Sequence, residues 1–105
     1  MENQIEIFKA LSNKTRLEIL KWLKDPLEHF DTESSDIIRN INERGGVSAQ
    51  DIQEKAKMSQ STISHYLKVL QKVGFLESKH HAQWTYYRRN EEMIKEFASY
   101  INNDF

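Results

Sequence analysis

The chain of 105 residues contains no cysteine, only three glycines and only one proline. Without a thiol it can form neither a disulfide nor a thiolate metal site, and it cannot act as a thiol redox switch. No apolar run approaches the roughly 20 residues that a transmembrane helix needs. Because the first residues, Met-Glu-Asn-Gln, also lack the layout of a signal peptide, we predict a cytosolic protein.

The signals of catalysis are missing as well. The sequence shows no nucleophile–base arrangement, no phosphate-cradling glycine loop and no buried pair of carboxylates, so we predict neither an enzyme nor a cofactor. His80 and His81 could bind a metal ion, but adjacent residues of a hairpin point to opposite faces and no further ligand lies nearby in the sequence. For His29 with Asp31, a solvated loop is the better explanation. We therefore predict no metal site.

No linker, repeat or low-complexity tract divides the chain, and its length suits a single domain, residues 1–105. The net charge is −1, but charge is unevenly distributed. Residues 48–90 contain seven Lys and Arg against three Asp and Glu, whereas acids outnumber bases in the segments on either side. A basic middle between acidic ends is typical of a local phosphate-binding surface.

The most informative stretch is residues 58–74. Its apolar residues recur at helical spacing and predict one buried stripe: Ile63, Leu67, Leu70 and Val73, with Tyr66 beside them. The opposite face carries short polar and basic groups and no acid: Ser61, Ser64, His65, Lys68 and Lys72. Such a face suits a groove of DNA. An ordinary amphipathic surface helix would show the same stripe, so this segment alone leaves both interpretations open.

Two helix starts repeat the same pattern around this stretch. Ser48 and Ser59 each follow an apolar residue and can cap a helix, with Asp51 able to complete a box-like cap at the first. Between the helices only Lys57 and Met58 remain for a turn, which predicts a helix-turn-helix over residues 47–74. The turn position often filled by glycine is Lys57, which a left-handed backbone would strain by about 1 kcal/mol.

After Gly74, two aromatic-rich strands are predicted, Phe75 to Lys79 and Trp84 to Arg89, joined by the four residues 80–83. A hairpin in this position is a wing, residues 75–89. The fold predicted is therefore mainly α, a winged helix-turn-helix with about five to six helices and a two-stranded wing.

The flanking segments are also predicted to be helical. Asn13 can cap a helix from Lys14 to about Leu23 that ends near Asp25-Pro26, with Leu17, Ile19, Leu20 and Leu23 facing inward. Residues 26–46 are predicted to be a connector, acidic and hydroxyl-rich from Asp31 to Ser35, with a helix that ends at Gly45-Gly46. The apolar stripe of the last helix, from Glu91 onward, is generous for a terminal element, so we expect it to meet a second subunit.

Three phrases of this sequence, Phe8 to Leu20, Ser59 to Leu67, and Gly74-Phe75-Leu76 followed by Trp84-Thr85-Tyr86-Tyr87, resemble the ArsR/SmtB family of bacterial winged-helix repressors. The resemblance implies a homodimer built from residues 1–11 and 91–102, with a recognition helix from each subunit in a major groove. Its palindromic operator would have half-sites about 10 base pairs apart, or a multiple of that. The usual action is repression by promoter occlusion, relieved by a metal or another inducer.

This chain departs from the family pattern at the sensor positions and in the wing. The family's metal-sensing cysteines are absent, Val47-Ser48 and Glu91-Glu92-Met93 stand at positions where related members can carry metal ligands, and Asp104 alone remains near the end. The resemblance therefore favours a non-thiol signal, a small organic ligand or none, over a metal. The wing tip has no glycine, and His80-His81 replaces a more basic tip, which leaves wing contact with DNA open.

We predict that four residues of the recognition helix read base edges: Gln60, Ser61, Ser64 and His65. Contacts to DNA phosphates are predicted for eight residues: Lys55, Lys57, Thr62, Lys68, Lys72, Lys79, Gln83 and Arg88. Thr62 is equally suited to a cap, and Trp84, Tyr86 and Tyr87 to wing packing. Six apolar residues are predicted at the dimer interface: Ile5, Phe8, Met93, Ile94, Phe97 and Ile101.

A second hypothesis is a winged-helix module that binds another protein and does not grip DNA productively. The net charge of −1 and the missing basic wing tip motivate it. Salt-dependent association with random duplex DNA would discriminate the two hypotheses.

Overall fold

The computed structural model describes residues 3–33 and 36–105, so Ser34, Ser35 and the first two residues of the predicted dimerisation segment lie outside the described residues. Its elements, in order, are α1 (Gln4–Leu11), α2 (Lys14–Lys24), α3 (Pro26–His29), α4 (Ile37–Arg39) with a π-helical turn (Asn40–Arg44), β1 (Val47–Ser48), α5 (Ala49–Ala56), α6 (Gln60–Lys72), β2 (Leu76–His81), β3 (Trp84–Arg89) and α7 (Glu91–Asp104). The predicted fold class is confirmed: a mainly helical winged helix-turn-helix. The described part has seven α-helices because α3 and α4 are short additions.

The second helix begins and ends where the sequence predicts. The Asn13 side chain accepts a hydrogen bond from the Arg16 amide at 2.9 Å, and α2 ends before Asp25-Pro26. Ile19, Leu20 and Leu23 are buried as expected, but the inward orientation predicted for Leu17 is wrong, since that residue is 49% exposed. Each helical residue turns by about 100°, so Leu17 lies almost opposite Ile19.

The connector also contains the expected helix. Pro26 begins α3, where its missing amide hydrogen costs nothing. Ile37 is buried and anchors α4, and the π-helical turn that follows ends at Gly45, whose φ of 87° is left-handed. Ile38, in contrast, is exposed.

Both serine caps of the helix-turn-helix are confirmed. The Ser48 hydroxyl oxygen accepts from the Asp51 amide at 3.1 Å and that of Ser59 from the Thr62 amide at 3.2 Å. The box predicted for Asp51 takes another form, because the Ser48 hydroxyl donates to its carboxylate at 3.0 Å. Lys57 closes α5 with the left-handed backbone expected of it (φ 57°, ψ 43°).

The wing is part of a three-stranded antiparallel sheet of order β1-β3-β2, so the two-stranded prediction is incomplete. Val47 pairs with Tyr87 and Ser48 with Tyr86. This pairing requires glycine at position 46, since a Cβ there would clash with the backbone carbonyl oxygen of Tyr87. At this position the sequence indicates only the helix-capping role of Ser48. The two residues of β1 form a strand because they pair with residues about forty positions later in the chain.

The predicted four-residue wing loop is wrong. His80 and His81 belong to β2 and pair with Thr85 and Trp84, which leaves Ala82 and Gln83 as the turn. A contact of 3.0 Å between the His80 Nδ1 and the Thr85 hydroxyl accompanies this extra pairing. Ala82 takes up the tight reversal with a φ of 55°, and Gly74 ends the stretch after α6 with the predicted left-handed backbone.

The core is centred on α6. Ile63, Leu67 and Leu70 are at most 1% exposed. They belong to one buried cluster with residues of the other elements, including Ile7, Ile19, Ile37, Val47 and Ile52. Burial of this stripe leaves the opposite face of α6 free.

Arg16, in the first turn of α2, contacts both α1 and α6. Its Nε–H donates to the Ala10 carbonyl at 2.6 Å at the end of α1, and its guanidinium carbon lies 5.1 Å from the centre of the Tyr66 ring on α6. The Asn13 side-chain Nδ2–H donates to the Tyr66 hydroxyl at 3.3 Å. The starting turn of α2 therefore holds α6 in a fixed position relative to α1.

Candidate nucleic-acid interface

The free face of α6 is open and carries no acid. Ser61, His65, Lys68 and Lys72 are exposed on it, and Ser64 is half-buried. Gln60, the first residue of the helix, is exposed as well. This face can approach a polyanion without placing a carboxylate against it.

A cleft of about 580 Å³ lies between α5, α6 and the wing. We call it the wing cleft. Its lining includes four residues that the sequence predicts to contact DNA, namely Gln60, Ser64, Lys68 and Gln83, together with His80. None of its lining residues is acidic, and Lys68 is the one lysine or arginine among them.

The other predicted residues of α6 and the turn do not line the cleft. Ser61, His65 and Lys72 lie on the outward side of α6, and Lys57 lies on the exposed turn before it. Thr62 is engaged at the helix start, where its hydroxyl accepts from the Ser59 hydroxyl at 2.9 Å. This contact is what the capping interpretation of Thr62 expects.

Lys55 faces another part of the molecule. Its Nζ lies 5.2 Å from the ring centre of Trp22 and 5.7 Å from that of Phe30, where an ammonium is attracted to the aromatic face. It lines a separate depression with Asp51 and Glu54. Burial raises the pKa of the Asp51 carboxyl, and the hydrogen bond from Ser48 acts in the opposite direction. The structure therefore does not bring Lys55 to the wing cleft.

The wing cations also lie away from the cleft. The alternation of β2 and β3 places Ser78, His80, Thr85 and Tyr87 toward the cleft and Lys79 and Arg88 on the other face. The aliphatic part of Lys79 passes close to Gly45. Arg88 forms an ion pair with Glu77 at 3.2 Å, with both side chains about half exposed.

The lining residues missed from the sequence include three glutamines: Gln50 and Gln53 of α5, and Gln71 near the end of α6. The first two lie three residues apart and therefore share one face of α5, a spacing that is visible in the sequence. The Gln71 amide donates to the Ser78 hydroxyl at 2.9 Å and connects α6 to the wing. Burial raises the pKa of the Tyr87 phenol, so this cleft residue stays neutral and can donate a hydrogen bond.

The predicted interface residues lie on α1 and α7, and all but Ile5 belong to the core cluster or pack against it. Phe8 packs against Phe97, with ring centres 5.3 Å apart, and against Phe105 at 5.9 Å. Phe97 is buried within the subunit, whereas Ile5 is 62% exposed. Met93, Ile94 and Ile101 are half-buried.

The described residues contain no cluster of three or more His, Asp or Glu side chains placed to hold a metal ion. None of the helices in residues 3–33 and 36–105 combines the length and the apolar character needed to span a bilayer.

Known proteins are similar to this chain in sequence and in fold. The HTH-type transcriptional regulator YbzH of Bacillus subtilis, described as uncharacterized, is 41% identical over 100 residues, which cover 95% of this chain and 96% of that protein. The chain belongs to the HTH-type transcriptional regulators. The sequence profile of the MarR family matches residues 33–83. The transcriptional repressor SdpR of Bacillus subtilis is 27% identical over 97 residues, 92% of this chain and 87% of its own length.

Two solved structures share the fold of this HTH-type regulator. An ArsR family transcriptional regulator has a TM-score of 0.71 at 14% identity and is matched over 98% of this chain and 87% of its own. A homodimeric winged helix-turn-helix DNA-binding domain from Mycobacterium bovis, described as a possible ArsR-family regulator, has a TM-score of 0.64 at 24% identity, over 92% and 73% of the two chains. In a helix-turn-helix the second helix is the recognition helix, and α6 occupies that position.

Proposed function

We propose that this HTH-type regulator is a homodimeric, sequence-specific repressor of the ArsR/SmtB type. It binds a palindromic operator through the recognition helix of each subunit, occludes the promoter and is released by a non-thiol signal. The names of the structural neighbours support the ArsR type, although the profile match is to the MarR family. The name of SdpR supports repression, and the absence of cysteine supports the non-thiol signal.

The observation that carries this proposal is the open, acid-free face of α6 beside an acid-free cleft. The chain contains 16 acidic residues and 15 lysines and arginines. Acidic residues are therefore as common as basic ones in this protein, and their absence distinguishes this face. Ser61, Ser64 and His65 present hydrogen-bonding groups that can read base edges, while Lys68 and Lys72 supply charge for phosphates.

Duplex binding should depend on Lys68. Replacing Lys68 with alanine should weaken binding to all sequences by a similar factor and reduce the slope of log affinity against log salt by about 1, because one fewer counterion is released. Fluorescence anisotropy titrations at several salt concentrations measure both quantities. Lys55→Ala is the matched control, since Lys55 lies beside Trp22 and Phe30, away from the cleft. An unchanged slope for Lys68→Ala, or loss of sequence discrimination with an unchanged slope, would contradict the phosphate role of Lys68.

The homodimer should form through α1 and α7, where Ile5 remains 62% exposed beside the Phe8–Phe97 contact. Sedimentation equilibrium should give twice the chain mass of 12.5 kDa. Ile5→Lys should shift the protein toward the monomer, because a charge would replace apolar area at the interface.

Leu27→Lys provides the control for that experiment, since Leu27 is 55% exposed on α3 and lies outside the proposed interface. It should leave the dimer intact. Equal dissociation by both substitutions, or a wild-type protein that sediments as a monomer, would refute this interface.

The alternative is a protein-binding winged helix, favoured by the absence of lysine and arginine among the wing residues that line the cleft. It predicts no salt-dependent association with random duplex DNA. Selection of bound fragments from random DNA by the purified protein tests the main proposal directly. Recovery of a symmetric site supports the repressor, and failure to enrich any sequence at low salt supports the alternative.

A further inference from the structure

Five of the six glutamines in the chain line the wing cleft. Gln50 and Gln53 come from α5, Gln60 and Gln71 from α6, and Gln83 from the wing turn. These positions span 34 residues of sequence and three structural elements, so the fold, and not local composition, brings them together. The sixth, Gln4, lies on α1 and is not among the lining residues.

The other residues that line the cleft limit which DNA bases the cleft can recognise. Arginine and lysine are the usual readers of guanine, and carboxylates accept from the amino group of cytosine. The cleft has no arginine and no acid, and Lys68 is its one cation among the lining residues. A glutamine amide, in contrast, offers a donor and an acceptor together, which matches the N7 and N6 groups on the major-groove edge of adenine. Ala49 and Thr85 add methyl groups of the kind that contact the thymine methyl.

We propose that the wing cleft reads an A·T-rich half-site, and that Gln50 and Gln53 of α5 contribute to adenine recognition together with Gln60. This inference rests on the proposed function, because it specifies which DNA the regulator binds. Gln50 and Gln60 are exposed and Gln53 is half-buried, so none of the three side chains is enclosed in the core. Gln71 has a structural role instead, because its hydrogen bond to Ser78 connects α6 to β2 and supports the wing.

Selection from random duplex DNA, followed by substitution of single adenines in the enriched site, tests the proposal. The selected half-sites should be enriched in A·T pairs. Replacing a contacted adenine with 7-deazaadenine removes the N7 acceptor but keeps base pairing, and should weaken wild-type binding by roughly ten-fold or more at that position. Gln53→Ala and Gln60→Ala should each bind the normal site more weakly by a similar factor, and each should become insensitive to 7-deazaadenine at one adenine.

Asn42→Ala, which removes an exposed carboxamide from the π-helical turn outside the wing cleft, is the matched control and should keep the wild-type pattern at every position. Enriched half-sites that are rich in G·C, or wild-type affinity that is indifferent to 7-deazaadenine at all adenines, would overturn adenine recognition while leaving the regulator a DNA-binding protein. Failure to enrich any DNA would instead refute the proposed function itself. The two failures are therefore distinguishable.

Discussion

Replacing Ser64 and His65 together with alanine should weaken operator binding by ~1–3 kcal/mol for each base-edge hydrogen bond that the substitution removes, or about 5- to 150-fold. Both side chains lie on the free face of the recognition helix, Ser64 at the wall of the wing cleft and His65 exposed to solvent. Neither is part of the buried core. The effect should therefore appear in affinity for the operator, and much less in affinity for random duplex or in the free energy of unfolding.

A gel-shift titration with operator and random duplex measures this effect. The matched control is His29→Ala, which removes an imidazole from α3, outside α6, the wing and the proposed dimer interface. It should bind the operator as the wild type does. Unchanged operator affinity in the Ser64 and His65 variant would mean that the exposed face of α6 does not read DNA.

Local signals in the sequence were sufficient for the helix-turn-helix. Asn13, Ser48 and Ser59 each satisfy an unpaired amide within three residues of their own position, so a short stretch of sequence contains the information for each cap. The stripe of α6 is similarly local, because residues three and four apart share a helical face. The same pattern predicts the open face of α6, because the residues outside the buried apolar stripe are the ones left exposed to solvent.

The sheet could not be predicted in the same way. Strand β1 has two residues and exists because Val47 pairs with Tyr87. The register of β2 and β3 decides that His80 faces the cleft while Lys79 does not. A two-residue period places every second side chain on the opposite face, so predicting a wing contact requires the register and not only the strand. The same uncertainty about side-chain direction applies to Lys55 on helix α5. Its charge suggests a phosphate contact, but its ammonium lies over two aromatic rings.

The glutamines of the cleft show how a site can be dispersed in the sequence. Gln50 and Gln83 belong to elements that do not pair with each other, and neither has a charge or an unusual neighbour. Only the packing of α5, α6 and the wing makes them members of one surface. Composition alone therefore indicates the basic segment 48–90 but not the acid-free, glutamine-rich cleft inside it.

Because α6 supplies both core residues and the proposed DNA-binding face, adjacent residues of this helix should separate stability from binding. Leu67 is fully buried and Lys68 is exposed. Leu67→Ala removes packed methyl groups and leaves a cavity, so it should lower the free energy of unfolding by about 2–5 kcal/mol. That is a large share of the roughly 5–15 kcal/mol typical of a domain.

Urea denaturation followed by circular dichroism, at one protein concentration because dimerisation contributes to apparent stability, measures the change. The midpoint for Leu67→Ala should fall with little change in the slope m, whereas Lys68→Ala should change the free energy of unfolding by no more than about 0.5 kcal/mol. At a temperature where Leu67→Ala is folded, its operator affinity should approach that of the wild type, because none of its DNA-facing groups has changed. A decrease of less than about 1 kcal/mol for Leu67→Ala would show that Leu67 is not tightly packed. The exposed face of α6 would then lack the rigid support that reading base edges requires.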